Sequence, residues 1–397
     1  MNSLFLHNEI NHIMGQQDCK NKKYECKRIG IVALYDPHIN KNECSGTLYQ
    51  ATKALQRAGF ETVWVKRKIP FMFRVYNKLI KVVNKLFSCT ICDDRTYIGS
   101  WLNAHAVEID KHDDLDYLFV IHHFFVPLWN KTKIPVIYHS DVTFELVNNY
   151  YLHEIRGFGK LRAEQIERVA LAKVAFHLSP SYWRNNSVVG TYGVDSSKTI
   201  VLPYGPCIDT DKMIKPRNIS KGKAVKLLFS GVDWDRKGGD IAVLTTLELN
   251  KRGLECILVI VGMKKLPEQY QDISCVKLLG FLNKNNEEDY NKYMNVFREC
   301  DIFFLPTKAE GAGIVFSEAS AFGLPILTHD TGGVGTYVQN GINGYRLPLG
   351  SDISAYADKV MEMMEPEAYN CLSKGALKLA NDFLNWSLWT EAFKRIL

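Results

Sequence analysis

The sequence contains no apolar run that approaches the ~20 residues of a membrane-spanning helix. Its first ten residues also lack a basic start followed by a long apolar stretch, so we expect no secretory signal. The sequence also has no large excess of either charge. Its 43 acidic residues are interspersed among 49 basic ones, and the formal net charge is +6. This balance argues against nucleic acid as a partner and leaves small anions or an anionic membrane surface.

Paired cysteines are equally few. Ten cysteines are scattered along the chain, and Cys89 and Cys92 form the one C-x-x-C pair. No second pair stands at zinc-ligand spacing, so free thiols in a reducing compartment are favoured over a metal or redox site. We therefore predict a cytoplasmic protein whose cysteines hold neither a metal nor another cofactor, with peripheral contact at the inner face of the membrane left open.

The chain of 397 residues is long enough for two domains, each with its own core. Strand and helix patterns alternate, stop at a segment rich in Pro, Gly and Lys, and then start again, which predicts two doubly wound parallel α/β domains. We predict a polar lead-in at 1–27, an N-terminal domain at 28–205 and a C-terminal domain at 206–380. A last helix at 381–397 is expected to return to the N-terminal domain.

Apolar runs of strand length mark the sheets. In the first series they predict strands at 28–35, 61–66, 116–121, 135–139, 175–178 and 199–202. In the second series they predict strands at 224–231, 256–262, 275–280, 301–305 and 324–328.

The most informative segment follows the strand predicted at 301–305. It places Glu310 before a turn with Gly311 and Gly313, and Glu318 within a helix predicted at 314–322. A helix N-terminus at the carboxyl end of a parallel strand offers free N–H groups and a positive dipole end to phosphate. The plain alternatives are a helix N-terminal carboxylate for Glu310 and a solvated surface charge for Glu318.

The string from Glu310 to Pro325 resembles the Glu-x7-Glu signature of the family 4 retaining glycosyltransferases. That family has the GT-B fold, in which two Rossmann-like domains face each other across a cleft. The resemblance covers most of the chain and is strongest at 226–350. It implies that Glu318 binds the ribose of a nucleotide sugar and that Glu310 lies near the donor sugar. The backbone that would face the sugar and phosphates belongs to Gly311, Gly313, Ile314 and Val315.

A basic loop follows the strand predicted at 224–231. Arg236 and Lys237 can neutralise a diphosphate leaving group, although an isolated pair would more commonly be solvated. The segment resembles the family's phosphate-binding loop, which favours the first interpretation and adds Gly231 to the donor site. Many members carry arginine directly after this glycine, where the present chain has Val232, so we assign the arginine role to Arg236.

Two further segments resemble glycine turns of the family. Gly332 and Gly333 follow the strand predicted at 324–328, and either a purely structural role or donor contact fits them. The Ser45-Gly46-Thr47 sequence opens a helix after the first strand and resembles the loop that approaches the donor phosphate and the acceptor. A plain helix N-cap at Ser45 is the alternative.

His139 and Asp141 follow the strand predicted at 135–139, whose carboxyl end is expected to face the crevice. The family commonly has a histidine or aspartate here, so both are candidates to hold a hydroxyl of the sugar or acceptor. A role in the core or on the surface is the alternative. His122 and His123 lie at another strand end, but two neighbouring histidines do not by themselves make a metal site.

The segment 71–87 predicts an amphipathic helix, with apolar residues on one face and basic residues on the other. It contains no acidic residue. Such a helix can dock on an anionic membrane leaflet. The plainer alternative is a helix packed on its own domain with a solvated basic face.

Taken together, these patterns and the resemblance predict a retaining glycosyltransferase of cell-surface polysaccharide biosynthesis. It would move a hexose or N-acetylhexosamine from a UDP- or GDP-sugar to a glycan, lipid-linked or polysaccharide acceptor. Positive side chains are expected to face the phosphates, so the resemblance implies no required metal. The alternatives are a phosphorylase or sugar-nucleotide epimerase of the same fold and an inactive membrane-associated scaffold. A dinucleotide oxidoreductase is disfavoured, because no G-x-G-x-x-G follows the first strand.

Overall fold

The computed structural model describes residues 27–87, 91–151, 154–209, 215–219 and 223–397. The chain divides into two compact units. The first ends at Leu202 and is completed by Trp386–Leu397, and the second comprises Pro203–Asn385. Apart from Lys27, the lead-in predicted at 1–27 lies outside the described residues.

The first unit contains a six-stranded parallel sheet with the order β2-β1-β3-β4-β5-β6. Its strands are β1 (Arg28–Ala33), β2 (Glu61–Lys66), β3 (Tyr117–Ile121), β4 (Val136–His139), β5 (Phe176–Ser179) and β6 (Thr199–Val201). Its helices include α1 (Thr47–Arg57), α2 (Phe71–Phe87), α3 (Tyr97–Ala104), α4 (Phe125–Trp129), α5 (Phe144–Val147), α6 (Gly157–Ala172) and α7 (Tyr182–Asn186).

The second unit contains another six-stranded parallel sheet, with the order β12-β11-β10-β7-β8-β9. Its strands are β7 (Val225–Ser230), β8 (Cys256–Val261), β9 (Val276–Leu278), β10 (Ile302–Leu305), β11 (Ile326–His329) and β12 (Gly344–Leu347). Its helices include α8 (Trp234–Lys237), α9 (Gly239–Lys251), α10 (Glu287–Glu299), α11 (Ile314–Ala321), α12 (Val334–Tyr337), α13 (Ile353–Met363) and α14 (Pro366–Asp382). Within this unit the strands follow the 3-2-1-4-5-6 order of a Rossmann sheet.

Both faces of the first sheet are buried, since residues that point to opposite sides of its strands belong to two different core clusters. Val32 and Val120 belong to a core cluster with residues of α4 and α6. Ile31 and Phe119 belong to the cluster on the other face, which includes residues of α1 and of the last helix, α15 (Trp386–Arg395). The end of the chain therefore supplies part of the core of the first unit.

The fold class predicted from the sequence is confirmed: two doubly wound Rossmann-like units, with the last helix returned to the first of them. The strand β12 is absent from the prediction. Its sequence, Gly-Tyr-Arg-Leu, has no apolar run, and it is an edge strand that pairs with β11. Among the helices in the described ranges, none is long and apolar enough to cross a membrane.

Candidate active site

The second sheet reverses its strand order between β7 and β10. β8 lies beside β7 on one side, whereas β10 and β11 continue the sheet on the other. In parallel α/β sheets, ligands bind beyond the carboxyl ends of the strands at such a switch point. The loop after β7 carries Arg236 and Lys237, and the loop after β10 carries Glu310.

Direct contacts join these two loops. The Lys308 backbone N–H donates to the Arg236 carbonyl oxygen at 2.7 Å, and the Arg236 guanidinium donates to the Ala309 carbonyl at 3.0 Å. The Lys237 ammonium forms an ion pair with the Glu310 carboxylate. The Lys237 and Glu310 side chains are 10% and 14% exposed, so this pair lies in a largely enclosed place. The structure thus brings three of the predicted site residues together.

Local backbone geometry fixes the basic loop. The Asp233 carboxylate accepts a hydrogen bond from the Arg236 N–H at 3.1 Å and caps the single turn of α8. Gly238 then takes a φ of +76°, which favours glycine. A Cβ at Gly238 would lie 2.2 Å from the Pro306 carbonyl oxygen, so the approach of the two loops also requires glycine there.

The α11 helix begins at this edge of the sheet. Gly313 is its N-cap, with a φ of +91°. The N–H groups of Ile314 and Val315 come first in the helix, where no carbonyl of a preceding turn is available to them. The Gly333 N–H donates to the Glu310 carbonyl oxygen at 2.9 Å, so the glycine turn after β11 is tied to the same loop. Gly231, at the end of β7, and Gly311 complete the predicted set in this unit.

Glu318 lies inside α11 with its side chain 1% exposed. One carboxylate oxygen accepts from the Lys284 ammonium at 2.8 Å, and the other accepts from the Tyr293 hydroxyl at 2.6 Å. Burial, with the nearby Glu318 charge, raises the pKa of Tyr293 well above its usual value, so this hydroxyl is a donor. The alternative of a solvated surface charge for Glu318 is therefore wrong, while ribose binding by Glu318 stays a prediction.

The sequence did not single out Lys284 or Tyr293. They precede Glu318 by 34 and 25 residues, and they lie in a loop and in α10. No spacing rule connects residues on different elements at such separations. Their role as partners of a buried carboxylate appears only when the unit folds.

The remaining predicted residues lie in the first unit, at the carboxyl ends of its strands. Gly46 is the N-cap of α1, with a φ of +95° and no side-chain cap hydrogen bond. The alternative of an N-cap at Ser45 is therefore wrong. Asp141 lies beside His122, with 3.3 Å between a carboxylate oxygen and the ring nitrogen Nδ1. This contact between His122 and the candidate Asp141 was not predicted from the sequence.

His139 lies within the core of the first unit. Its side chain is fully buried, and its ring centroid lies 6.2 Å from that of Phe119 and 6.1 Å from that of Trp389. Burial lowers the pKa of His139 well below its usual value, so the imidazole is neutral. Contact with a sugar hydroxyl stays a prediction for His139 and for Asp141, and the more open of the two is Asp141.

The C-x-x-C pair is described in part, since Cys89 lies outside the described residues. Cys92, Asp93 and Asp94 place one ligand atom each within 4.8 Å of one another. The Cys92 thiol donates to an Asp94 oxygen at 3.0 Å, and burial raises the pKa of this thiol, so it is held as a neutral donor.

Comparison with known proteins points to one family. The sequence model of the family described as "Glycosyl transferases group 1" matches residues 210–378, which contain the basic loop, Glu310 and Glu318. A D-inositol 3-phosphate glycosyltransferase from Nocardia farcinica is 24% identical over 243 residues, which cover 58% of this chain and 53% of that protein. The UDP-Gal:alpha-D-GlcNAc-diphosphoundecaprenol alpha-1,3-galactosyltransferase from Escherichia coli is 28% identical over 135 residues, which cover 32% of this chain and 33% of that protein. The chain thus spans about half or less of the length of these curated relatives.

A solved structure agrees in fold. Anabaena HepE, solved in complex with UDP and glucose, superposes with a TM-score of 0.59 at 13% identity, covering 92% of this chain and 98% of that one. Such low identity establishes the fold alone. Residues 210–378 are therefore similar to the group 1 glycosyltransferases, and the two-unit fold of the whole chain is the GT-B fold of HepE.

Proposed function

We propose that this protein is a retaining glycosyltransferase that uses a nucleoside-diphosphate sugar. It would move a hexose or N-acetylhexosamine to a glycan, lipid-linked or polysaccharide acceptor. The observation that carries the proposal is the pairing of Lys237 with Glu310 beside Arg236, at the switch point of the second sheet. These residues lie within the segment that matches the family.

The basic loop is suited to the leaving group. In the transfer, the bond between the anomeric carbon and the β-phosphate oxygen breaks, and the acceptor hydroxyl oxygen bonds to that carbon. The hydroxyl proton passes to the departing phosphate or to solvent, and the nucleoside diphosphate leaves with additional negative charge. Lys237 and Arg236 would stabilise that charge together with the α11 N-terminus, and Glu310 would hold Lys237 in place before the donor binds.

Glu318 supports a distinct subsite at the same edge. Its carboxylate is buried, and each oxygen accepts one hydrogen bond, from Lys284 and from Tyr293. A ribose hydroxyl that donated to Glu318 would join this network, as a carboxylate has about four acceptor positions. The ribose of the donor would then sit beside α10 and α11, with the diphosphate toward the basic loop.

The similarity to a protein solved with UDP and glucose makes UDP-sugars the first donors to test. The relative from Escherichia coli acts on a diphosphoundecaprenol-linked sugar, which supports a lipid-linked acceptor as one class among those proposed. We further propose that the protein works in the cytoplasm without a required metal.

A thermal-shift screen of UDP-glucose, UDP-galactose, UDP-N-acetylglucosamine and GDP-mannose tests the donor site. A donor at a hundredfold excess over its Kd stabilises the folded state by about 2.7 kcal/mol. We expect at least one nucleotide sugar to raise the Tm, and we expect Glu318→Gln to reduce that increment. The matched control is Glu365→Gln, outside the site. The increment is compared with each variant's own Tm, because loss of the Lys284 pair also lowers the starting stability.

Analysis of the reaction product distinguishes a retaining glycosyltransferase from a phosphorylase or an epimerase. NMR of the transferred sugar should show that the anomeric configuration of the donor is retained. Phosphate-dependent turnover would favour a phosphorylase, and interconversion of the donor without acceptor would favour an epimerase. Absence of any stabilisation by nucleotide sugars, with the folded protein intact, would contradict the donor site altogether.

A further inference from the structure

The α2 helix is attached to the first unit along one side only. The Tyr76 hydroxyl lies 2.8 Å from the Thr96 hydroxyl, at the N-terminus of α3. Asn84 donates to the Ile91 carbonyl at 3.0 Å and accepts from the Ile91 N–H at 2.9 Å. Even so, no residue of α2 is buried. Tyr76 and Ile80 are half-buried on the attached side, so one part of the apolar surface of the helix faces its domain and another part is open to solvent.

An apolar stripe lies open on this helix. Of the 23 exposed large apolar side chains in the described part of the chain, seven belong to the 17 residues of α2. Leu79 is 59% exposed and Leu86 is 71% exposed. Steps of three and four residues place the members on one side of a helix. This apolar stripe consists of Met72, Val75, Leu79, Val82 and Leu86.

A basic stripe runs beside the apolar one. It repeats the same steps of three and four residues, offset by one position, and all of its members are exposed. With no acidic residue in α2, the four basic residues give this helix a formal charge of +4. The basic stripe consists of Arg74, Lys78, Lys81 and Lys85.

Neighbouring helices extend the open apolar surface. Ile98 and Trp101 of α3 are exposed, as is Phe158 at the start of α6. The Arg162 guanidinium lies over the rings of Tyr97 and Phe158, 5.0 Å and 5.2 Å from their centroids, and so links α3 to α6. Exposed aromatic side chains of this kind are typical of the region between lipid headgroups and acyl chains.

We propose that α2 docks this protein on an anionic lipid bilayer, with the helix parallel to the membrane plane. The apolar stripe would enter the headgroup region, and the basic stripe would meet lipid phosphates. The charge pattern favours this occupant over a second copy, because a two-fold contact along α2 would bring two sets of four positive charges together. The proposal goes beyond the transferase activity, since it uses no residue of the donor site.

Vesicle co-sedimentation of the full chain tests the proposal. One set of vesicles is phosphatidylcholine alone, and the other contains phosphatidylglycerol as well. The variants are Leu79→Gln with Leu86→Gln for the apolar stripe, and Lys78→Gln with Lys81→Gln and Lys85→Gln for the basic stripe. The matched control removes three exposed lysines of the second unit, by Lys251→Gln, Lys292→Gln and Lys378→Gln.

We expect the wild type to bind the anionic vesicles in preference to the neutral ones. Each α2 variant should lower that affinity by about tenfold or more, with the lysine control unchanged. Nucleotide-sugar stabilisation should be the same in all four proteins, so a failure of docking is distinguishable from a failure of the donor site.

Three results would overturn the proposal. Equal binding to neutral and anionic vesicles would remove the role of the basic stripe. Unchanged binding of both α2 variants would place the lipid contact elsewhere. A wild-type dimer that Leu79→Gln and Leu86→Gln convert to a monomer, without vesicle binding by either form, would show that a second copy covers the apolar stripe.

Discussion

Lys237 and Glu310 form an ion pair within the proposed donor site. Their side chains are largely enclosed, and an enclosed charge is stable only when it has a partner. A diphosphate is a stronger partner for a lysine than a single carboxylate, because it carries more negative charge. The proposed donor would therefore replace or share Glu310 as the counter-ion of Lys237.

This leads to a prediction about turnover. Lys237→Met should lower kcat by about a hundredfold or more, because the charge that develops on the leaving diphosphate loses a nearby counter-charge. Steady-state kinetics with the identified donor and acceptor measure the effect. Lys251→Met, which changes an 80% exposed lysine on α9, is the control and should leave kcat unchanged.

A second variant separates catalysis from structure in that experiment. Lys237→Met also leaves Glu310 without its ion pair, and the double variant with Glu310→Gln removes the stray charge. We expect kcat to stay low in the double variant. Recovery to the wild-type value would show that Lys237 serves mainly to neutralise Glu310.

The sequence alone could not predict which side chains form individual contacts of this kind. The family resemblance selected Lys237, Glu310 and Glu318, but the partners of these side chains are set by folding. Lys237 and Glu310 are 73 residues apart and lie on loops that follow neighbouring strands. The burial of His139 is likewise a result of packing, because the residue stacked on it, Trp389, belongs to the last helix of the chain, 250 residues away.

The single-turn helix α8 and the 13-residue helix α9 meet at Gly238, and this junction sets the position of the basic loop. Gly238 combines a positive φ with a backbone contact to Pro306, which lies in the loop that leads to Glu310. The junction therefore determines how closely the loops after β7 and β10 approach each other.

Gly238→Ala should consequently weaken donor binding. The substitution combines a backbone strain of about 1–2 kcal/mol with a clash against Pro306, so the loop must move. The matched control is Gly253→Ala, which has a φ of +87° but no atom within 4 Å of the added Cβ. Calorimetric titration with the nucleotide sugar should show a loss of affinity for Gly238→Ala alone. Equal affinities of the two variants would disprove the role of the contact.

Most secondary-structure elements could be predicted because they carry long apolar runs. β2 and α2 match their predicted bounds, and the other predicted strands are offset by a few residues at most. β12 was missed because an edge strand of four residues depends on its pairing with β11 rather than on a pattern of its own. The open apolar stripe of α2 was also undetermined, since periodicity defines a face but does not say what covers it.

The chain as a whole builds two units with separate sheets, and its last helix belongs to the unit where the chain begins. Trp389 is buried between Phe119 of β3 and Phe393, with ring centroids 5.8 Å and 5.1 Å away. The core of the first unit is therefore complete only after the second unit has been synthesised. This arrangement couples the stability of the first unit to the intact C-terminus.

Trp389→Ala should destabilise the first unit by about 3–5 kcal/mol, the usual cost of removing a large buried aromatic side chain. Tryptophan fluorescence in a denaturant titration can follow this unit, because six of the seven tryptophans lie in it. Ser387→Ala, on the exposed side of the same helix, is the control. A Trp389→Ala transition at the wild-type denaturant concentration would show that α15 is dispensable for the core.

Two properties were already fixed by local pattern. Alternating apolar strands and helices predict parallel sheets that are covered on both faces. The Glu310-to-Pro325 string carries the family resemblance. Each of these two properties depends on residues close together in the chain. The pairing of Lys237 with Glu310, the enclosure of Glu318 by Lys284 and Tyr293, and the exposure of the α2 stripe followed from the fold alone. Such contacts join residues far apart in sequence, and only the packing of whole elements brings them within hydrogen-bonding distance or leaves them open to solvent.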